Sequence, residues 1–292
     1  MPIHTPPRRR AAVARTLPEL AVALAGRGDV ALGPAMGALH GGHRALLRAA
    51  RSAATTVVMS LFVNPAQFGE GEDLDAYPRD EERDARLAEA EGVDLLFAPQ
   101  REEVYPPGFS THVEVEGLTD AVEGAPSQRG REHFRGVTTV VTKLFNMVRP
   151  DVAYFGQKDA QQALVIRKMA RDLDMPVEIS VQPTVRDPDG LTLSSRNAYL
   201  SEAERERALA INRALRAAEG TVAHGTREAG EVLAAARHEL AAAGIEPDYL
   251  ELRSADDLSP AARVNGGRTL LAVAARVGRA RLIDNTILGA AE

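Results

Sequence analysis

A single segment near the start constrains this chain most. The apolar run Val30-Ala31-Leu32-Gly33-Pro34 reads as a buried strand, and Arg44-Ala45-Leu46-Leu47-Arg48-Ala49-Ala50 reads as a helix. Between them lies Met36-Gly37-Ala38-Leu39-His40-Gly41-Gly42-His43. A strand that turns through glycines into a helix start is the unit from which α/β sheets are built, and the amides at that helix start form an anion site. The rest of the first half repeats the alternation. Strands are expected at Asp29–Pro34, Thr55–Val63, Val93–Ala98, Val152–Phe155 and Val177–Val181. Helices are expected at Arg44–Ser52, Asp80–Glu91, Val137–Val148 and Asp159–Leu173. This order predicts an α/β fold, a Rossmann-like parallel sheet with helices on both faces.

Thr16 is placed to cap a helix over Leu17–Gly26. The alternating stretch His112–Glu116 reads as an edge or hairpin strand. Past Pro183 the character changes. Two helices rich in Ala, Glu and Arg, Leu200–Ala218 and Ala229–Ala243, precede three strands at Asp248–Arg253, Thr269–Val277 and Arg281–Asp284. We therefore expect a first domain over 1–184 and a smaller C-terminal α+β domain over 185–292, with residues 1–15 as a disordered tail. The Gly-rich, acidic stretch 69–82 reads as a mobile loop able to serve as a lid.

Bulk properties remove several classes of function. A net charge of −6 in 292 residues argues against a general nucleic-acid binder. The absence of cysteine excludes a disulfide framework, a Cys-ligated zinc and a thiol nucleophile. No apolar stretch is long enough to cross a bilayer. Arg supplies nearly all the basic charge, and the only lysines are Lys143, Lys158 and Lys168.

Five clusters carry candidate chemistry. His40 and His43, three apart, can share one face of a first helical turn and donate hydrogen bonds to a phosphoryl group. Gly42 leaves room for a close approach. This is the His-x-Gly-His outline of enzymes that act at the α-phosphate of ATP. Gly156-Gln157-Lys158-Asp159 follows a predicted strand, with Lys158 as a point charge for phosphate and Asp159 as a magnesium ligand. Leu193-Ser194-Ser195-Arg196 offers two hydroxyls and a guanidinium to a triphosphate tail. Asn64 and Gln67 close the strand from Thr55, where amides can select a small polar substrate. Glu123, with His133-Phe134-Arg135-Gly136-Val137, is the weakest cluster. A helix is expected to begin near Val137, after Gly136. Each cluster also has an ordinary reading as a cap, a turn or a surface ion pair.

Taken in order, the set resembles the pantoate–β-alanine ligase family, also called pantothenate synthetases, from about Leu17 to Asn285. The family's motifs appear here as Met36–His43, Phe62–Phe68, Asp73–Arg79, His133–Val137, Gly156–Asp159 and Asp189–Asn197. The resemblance implies a reaction in two halves. A pantoate carboxylate attacks the α-phosphorus of ATP, and the amine of β-alanine then takes the acyl group from the adenylate, releasing AMP. It implies that Met36, Gly37, Ala38, Leu39, His40, Gly41, Gly42 and His43 line the ATP site, with His43 as proton donor and His40, Lys158 and Arg196 also catalytic. Gly156, Gln157, Lys158, Asp159, Val185, Leu193, Ser194, Ser195 and Arg196 would complete that site, in a cleft between the two domains. Gln67 and Gln162 would hold pantoate, with Asn64 and Tyr77 beside them, and Asp159 would contact Mg²⁺. The family further implies a cytoplasmic homodimer that takes small molecules and neither nucleic acid nor membrane. Ala35, Gly41, Gln157 and Ala160 depart from its usual residues, and none of them removes a central role. A nucleotidyltransferase that adenylates a phosphate-bearing acceptor is the alternative. It would want more Arg or Lys in place of the amides Asn64, Gln67 and Gln162.

Overall fold

Val30–Ala35 forms strand β2, buried along most of its length. It ends just before the glycine turn, and helix α2 (Gly41–Ala53) starts where the turn closes. The same logic repeats through a computed structural model that describes residues 10–69, 74, 77, 79–264 and 268–289. By spatial clustering the chain forms two compact units.

The first unit holds residues up to Glu114, Glu132–Phe155 and Ile166–Gln182. Its sheet contains β1 (Ala12–Ala14), β2, β3 (Thr56–Leu61), β4 (Leu95–Phe97), β5 (Val152–Gly156) and β6 (Glu178–Gln182), in the order β1-β4-β3-β2-β5-β6. The pairs β1–β4, β4–β3, β3–β2 and β2–β5 are parallel. Winding runs outward from β2 in both directions, so β2 is the strand where the order reverses. In doubly wound sheets ligands gather at the carboxyl end of such a strand. Helix α1 (Leu17–Leu24) begins with the expected Thr16 cap, completed by Glu19 as a capping box. Helices α2 and α3 (Glu81–Ala90) pack Leu47, Ala50 and Ala88 against Val57, Met59 and Leu96. Carboxylates fasten strand starts: Asp151 accepts from the Val30 N–H at 2.7 Å, and Asp94 accepts from the Val57 N–H at 2.8 Å. A short helix, α4 (Arg101–Val104), leads on to α5 (Gly130–Val148) and α6 (Ala160–Asp172).

The second unit holds Pro183–Glu292 together with Val115–Arg131 and Gly156–Val165. Helices α7 (Glu202–Ala223) and α8 (Ala229–Ala242) share a core with an antiparallel sheet of β7 (Pro247–Ser254), β8 (Thr269–Val277) and β9 (Ala280–Leu288). Segment 115–131 is fastened to this sheet by an ion pair. Arg281 meets Glu123 through two bonds of 2.8 Å and Asp248 at 2.7 Å. Burial alone would lower the Arg281 pKa, but the Glu123 and Asp248 carboxylates outweigh it and hold the guanidinium firmly charged.

Three expectations are corrected. The tail does not extend to residue 15, because Ala12–Ala14 pairs with Leu95–Phe97 as an edge strand. Residues 1–9 lie outside the described residues. His112–Glu116 is not a strand, and the Val113 N–H instead donates to the Thr139 hydroxyl on α5 at 3.0 Å. Helix α5 starts at Gly130 rather than Val137, with Gly136 inside it. A β-carbon at Gly136 would lie 2.1 Å from the Ala66 carbonyl oxygen, so this glycine marks a close backbone crossing and not a helix start. Of the lid segment expected over 69–82, residues 70–73, 75, 76 and 78 lie outside the described residues.

Candidate active site

In the first unit the chain leaves β2 through Met36, Gly37 and Ala38. Gly37 has φ of 118° and Ala38 has φ of 51°, and the second is costly for a residue with a β-carbon. The turn is held from α3. The Asp84 carboxylate, 1% exposed, accepts from the Leu39 N–H at 2.8 Å, and Arg83 donates to the Leu39 carbonyl at 3.3 Å. Asp84 lay outside every motif singled out in the sequence. A polar residue on the apolar face of a helix was the only signal for it.

His40 then caps α2. Its Nδ1 accepts from the Gly42 N–H at 3.1 Å, and His43 Nδ1 accepts from the His40 N–H at 3.3 Å. The rings lie 4.1 Å apart, tilted by 40°. These bonds fix the tautomer. With each Nδ1 serving as acceptor, a neutral imidazole carries its proton on Nε2. The helix start thus bears two histidines of the same polarity, where the helix dipole favours an anion. Gly42 has a second reason to lack a side chain, because its β-carbon would stand 2.9 Å from the His40 ring.

Beyond β3, Asn64 caps a 3-10 turn over Pro65–Gln67. Asn64 is 1% exposed, and its amide is held by four partners. Its Oδ1 accepts from the Ala66 N–H at 3.2 Å and the Tyr105 hydroxyl at 2.8 Å. Its Nδ2 donates to the Gly136 carbonyl and to Gln67 Oε1, both at 3.1 Å. The two backbone partners settle which end of the amide is which, so Gln67 must turn its oxygen to Asn64 and its NH₂ away from it. That NH₂ lies 2.9 Å from the sulfur of Met36. Burial pushes the Tyr105 pKa up to about 12, which keeps its hydroxyl a donor. His133 Nδ1 meets the Gln67 carbonyl oxygen at 2.7 Å. Tyr77 is buried edge-on to Phe68 at 5.9 Å. Met36, Asn64 and Gln67 are thus brought together, with Tyr105 and His133 as supports. Tyr105 stood in no motif, and His133 stood only in the weakest one.

The second unit holds the remaining candidates. Gly156 precedes a 3-10 turn over Gln157–Asp159, which runs into α6. Lys158 Nζ lies 3.2 Å from Asp159 Oδ1. Gln162 is partly exposed on the first turn of α6. Its neighbour Gln161 is buried, with its amide spent on the Leu118 and Ala121 carbonyls, each at 2.7 Å, and on the Glu123 N–H at 2.9 Å. Glu123 is consumed by structure, through Arg281. The Leu193 N–H donates to the Val185 carbonyl at 3.1 Å. Ser194 caps the 3-10 turn Ser195–Tyr199, accepting from the Arg196 N–H at 3.3 Å. Among the described residues no group of three or more His, Cys, Asp or Glu side chains could hold a metal ion alone. A single half-exposed carboxylate, Asp159, suits a Mg²⁺ ion that takes most of its oxygens from phosphate and water.

Comparison with known proteins agrees with the motif order. The family profile described as pantoate-beta-alanine ligase matches residues 9–287. A pantothenate synthetase of Moorella thermoacetica is 54% identical over 261 residues, which is 89% of this chain and 91% of the relative. A crystal structure of pantothenate synthetase from Thermus thermophilus superposes with a TM-score of 0.88 at 49% identity, covering 94% of this chain and 98% of the other. A pantoate-beta-alanine ligase from Francisella tularensis, solved with beta-gamma ATP and beta-alanine, gives a TM-score of 0.78 at 29% identity over 95% and 97%.

Proposed function

This chain belongs to the pantoate-beta-alanine ligase family, and we propose that it makes pantothenate from (R)-pantoate, β-alanine and ATP, with the site residues acting as follows. A pantoate carboxylate oxygen bonds to the α-phosphorus of ATP while the bond to pyrophosphate breaks. The β-alanine amine then bonds to the acyl carbon, loses a proton and displaces AMP. His40 and His43 donate from Nε2 to oxygens of the reacting phosphoryl group, with His43 as the proton donor. Lys158, Ser194, Ser195 and Arg196 neutralise and hold the departing pyrophosphate. Gln67 donates from its NH₂ to a substrate oxygen, and Gln162 and Tyr77 contact pantoate. Asp159 would hold Mg²⁺, which withdraws charge from the phosphate oxygens when bound. The chain forms no covalent bond to substrate, so positioning and charge supply the rate. A homodimer in the cytoplasm completes the proposal, on the strength of the resemblance. No helix among the described residues is long and apolar enough to cross a membrane.

One observation carries the site assignment: the paired imidazoles at the start of α2, each fixed as an Nε2–H donor by a backbone amide. The test is a panel of carboxylates and amines assayed for ATP-dependent release of AMP. Free AMP should appear only with pantoate and β-alanine together. AMP retained on a stable product would establish the nucleotidyltransferase instead. Arg196→Ala should slow isotope exchange between ATP and pyrophosphate by about 100-fold, the usual loss for one preorganised donor. It should disturb the β-alanine step far less, since pyrophosphate leaves in the first half. Unchanged exchange would remove Arg196 from the pyrophosphate contact.

A further inference from the structure

The turn that carries Lys158 and Asp159 has no side-chain cap of its own. It is held by a residue far along the chain. Asn285, on β9, is 6% exposed. Its Nδ2 donates to the Gln157 carbonyl at 3.0 Å and to the Lys158 carbonyl at 2.8 Å, and its Oδ1 accepts from Gln157 Nε2 at 2.9 Å. Two carbonyl acceptors fix the orientation of the amide, because only an NH₂ can meet both. The polar reach of this side chain is therefore spent on one turn. A carboxylate of the same shape would face two carbonyl oxygens with no proton to offer.

The preceding residue does the same for the other nucleotide segment. Asp284 accepts from Arg186 at 2.6 and 3.0 Å, from the Thr192 hydroxyl at 2.6 Å and from the Asn285 N–H at 2.8 Å. The Thr192 carbonyl accepts from Asn197 at 2.9 Å, closing the turn that contains Ser194–Arg196. Strand β9 is itself rigidly held, paired with β8 from Val277↔Ala280 to Thr269↔Leu288. Consecutive side chains of one strand thus reach both segments.

We propose that Asn285 is a positioning residue for the adenylation half-reaction, fixing the Lys158–Asp159 turn in place against the Ser194–Arg196 turn. This rests on the reading that both turns bind the triphosphate. Displacement of a charged group by about an ångström costs on the order of 100-fold in rate, so the effect should exceed what one lost surface contact would give.

Asn285→Asp tests it. Pantoate-dependent exchange between ATP and pyrophosphate should fall about 100-fold, and the KM for ATP should rise about tenfold. Consumption of supplied pantoyl adenylate by β-alanine should stay within about threefold, since pyrophosphate has already left. Asn285→Ala, which removes the amide without adding charge, should shift the two half-reactions in the same ratio. That ratio, measured in one preparation, does not depend on how much of the variant is folded. Equal losses in both halves, or unchanged exchange, would overturn the proposal and leave Asn285 a purely structural residue. Wild-type protein lacking pantoate-dependent exchange would overturn the ligase reading and this inference together, whereas an active wild type with an unaltered ratio in both variants overturns this inference alone.

Discussion

Lys158→Ala is expected to lower kcat/KM for AMP formation by about 1,000-fold, about 4 kcal/mol of transition-state stabilisation. Lys158 is one of three lysines in the chain, and its side chain is 20% exposed. It pairs with the adjacent Asp159 at 3.2 Å. An ion pair between a partly exposed lysine and a half-exposed aspartate contributes little to stability. The charge is therefore available for a ligand, and the melting temperature should stay close to that of the wild type. Lys158→Arg should restore only part of the activity, because a planar fork does not reproduce a compact ammonium. Steady-state AMP release and a thermal melt on the same samples check both points. A loss below about tenfold, about 1.4 kcal/mol, would place Lys158 away from the transferring phosphoryl group.

Gly136→Ala is the second large expectation, and its sign opposes the usual rule. Within a helix this change ordinarily stabilises by about 1 kcal/mol. Here the added carbon would lie 2.1 Å from the Ala66 carbonyl oxygen and 2.7 Å from the Gln67 nitrogen. Both neighbours are backbone, and the Gly136 carbonyl also accepts from Asn64, so nothing flexible can swing aside. We expect a loss of about 2 kcal/mol from overpacking, seen as a melting temperature lower by about 4–8 °C. The displaced turn carries Gln67, so the KM for pantoate should rise about tenfold or more from misplacement. A melting temperature equal to or above the wild type would show that α5 and the Pro65–Gln67 turn do not cross so closely.

Legibility of the fold followed the range of the forces that set each part. Strands β2, β3 and β5 and helices α2, α3 and α6 fell close to their expected positions because their apolar periodicity is local and strong. The capping residue Thr16 was legible for the same reason, since a cap acts across three residues. Errors came where a distant partner overrode the local pattern. His112–Glu116 alternates like a strand, yet the Val113 amide is claimed by a threonine on α5. Gly136 looks like a helix breaker until the crossing at Ala66 is seen. Ala12–Ala14 has no strand signal among its prolines and arginines and acquires one from the free edge of β4.

The candidate site divides along the same line. Residue identities proposed to meet phosphate or acyl groups, such as His40, His43, Lys158 and Arg196, stand out in the chain because that chemistry limits which side chains would serve. What fixes the direction of several groups lies elsewhere. Asp84 sets the Leu39 turn, Tyr105 helps fix the Asn64 amide that orients Gln67, and Asn285 holds the Lys158 turn from 127 residues away. The linear sequence by itself determined the alternating architecture and the chemical inventory, because periodicity and residue type are carried in short windows. Only the tertiary structure decided the orientation of the donors and acceptors that Asp84, Tyr105 and Asn285 hold, because a hydrogen bond depends on where its partner is in space, and these partners are dozens to more than a hundred residues apart along the chain.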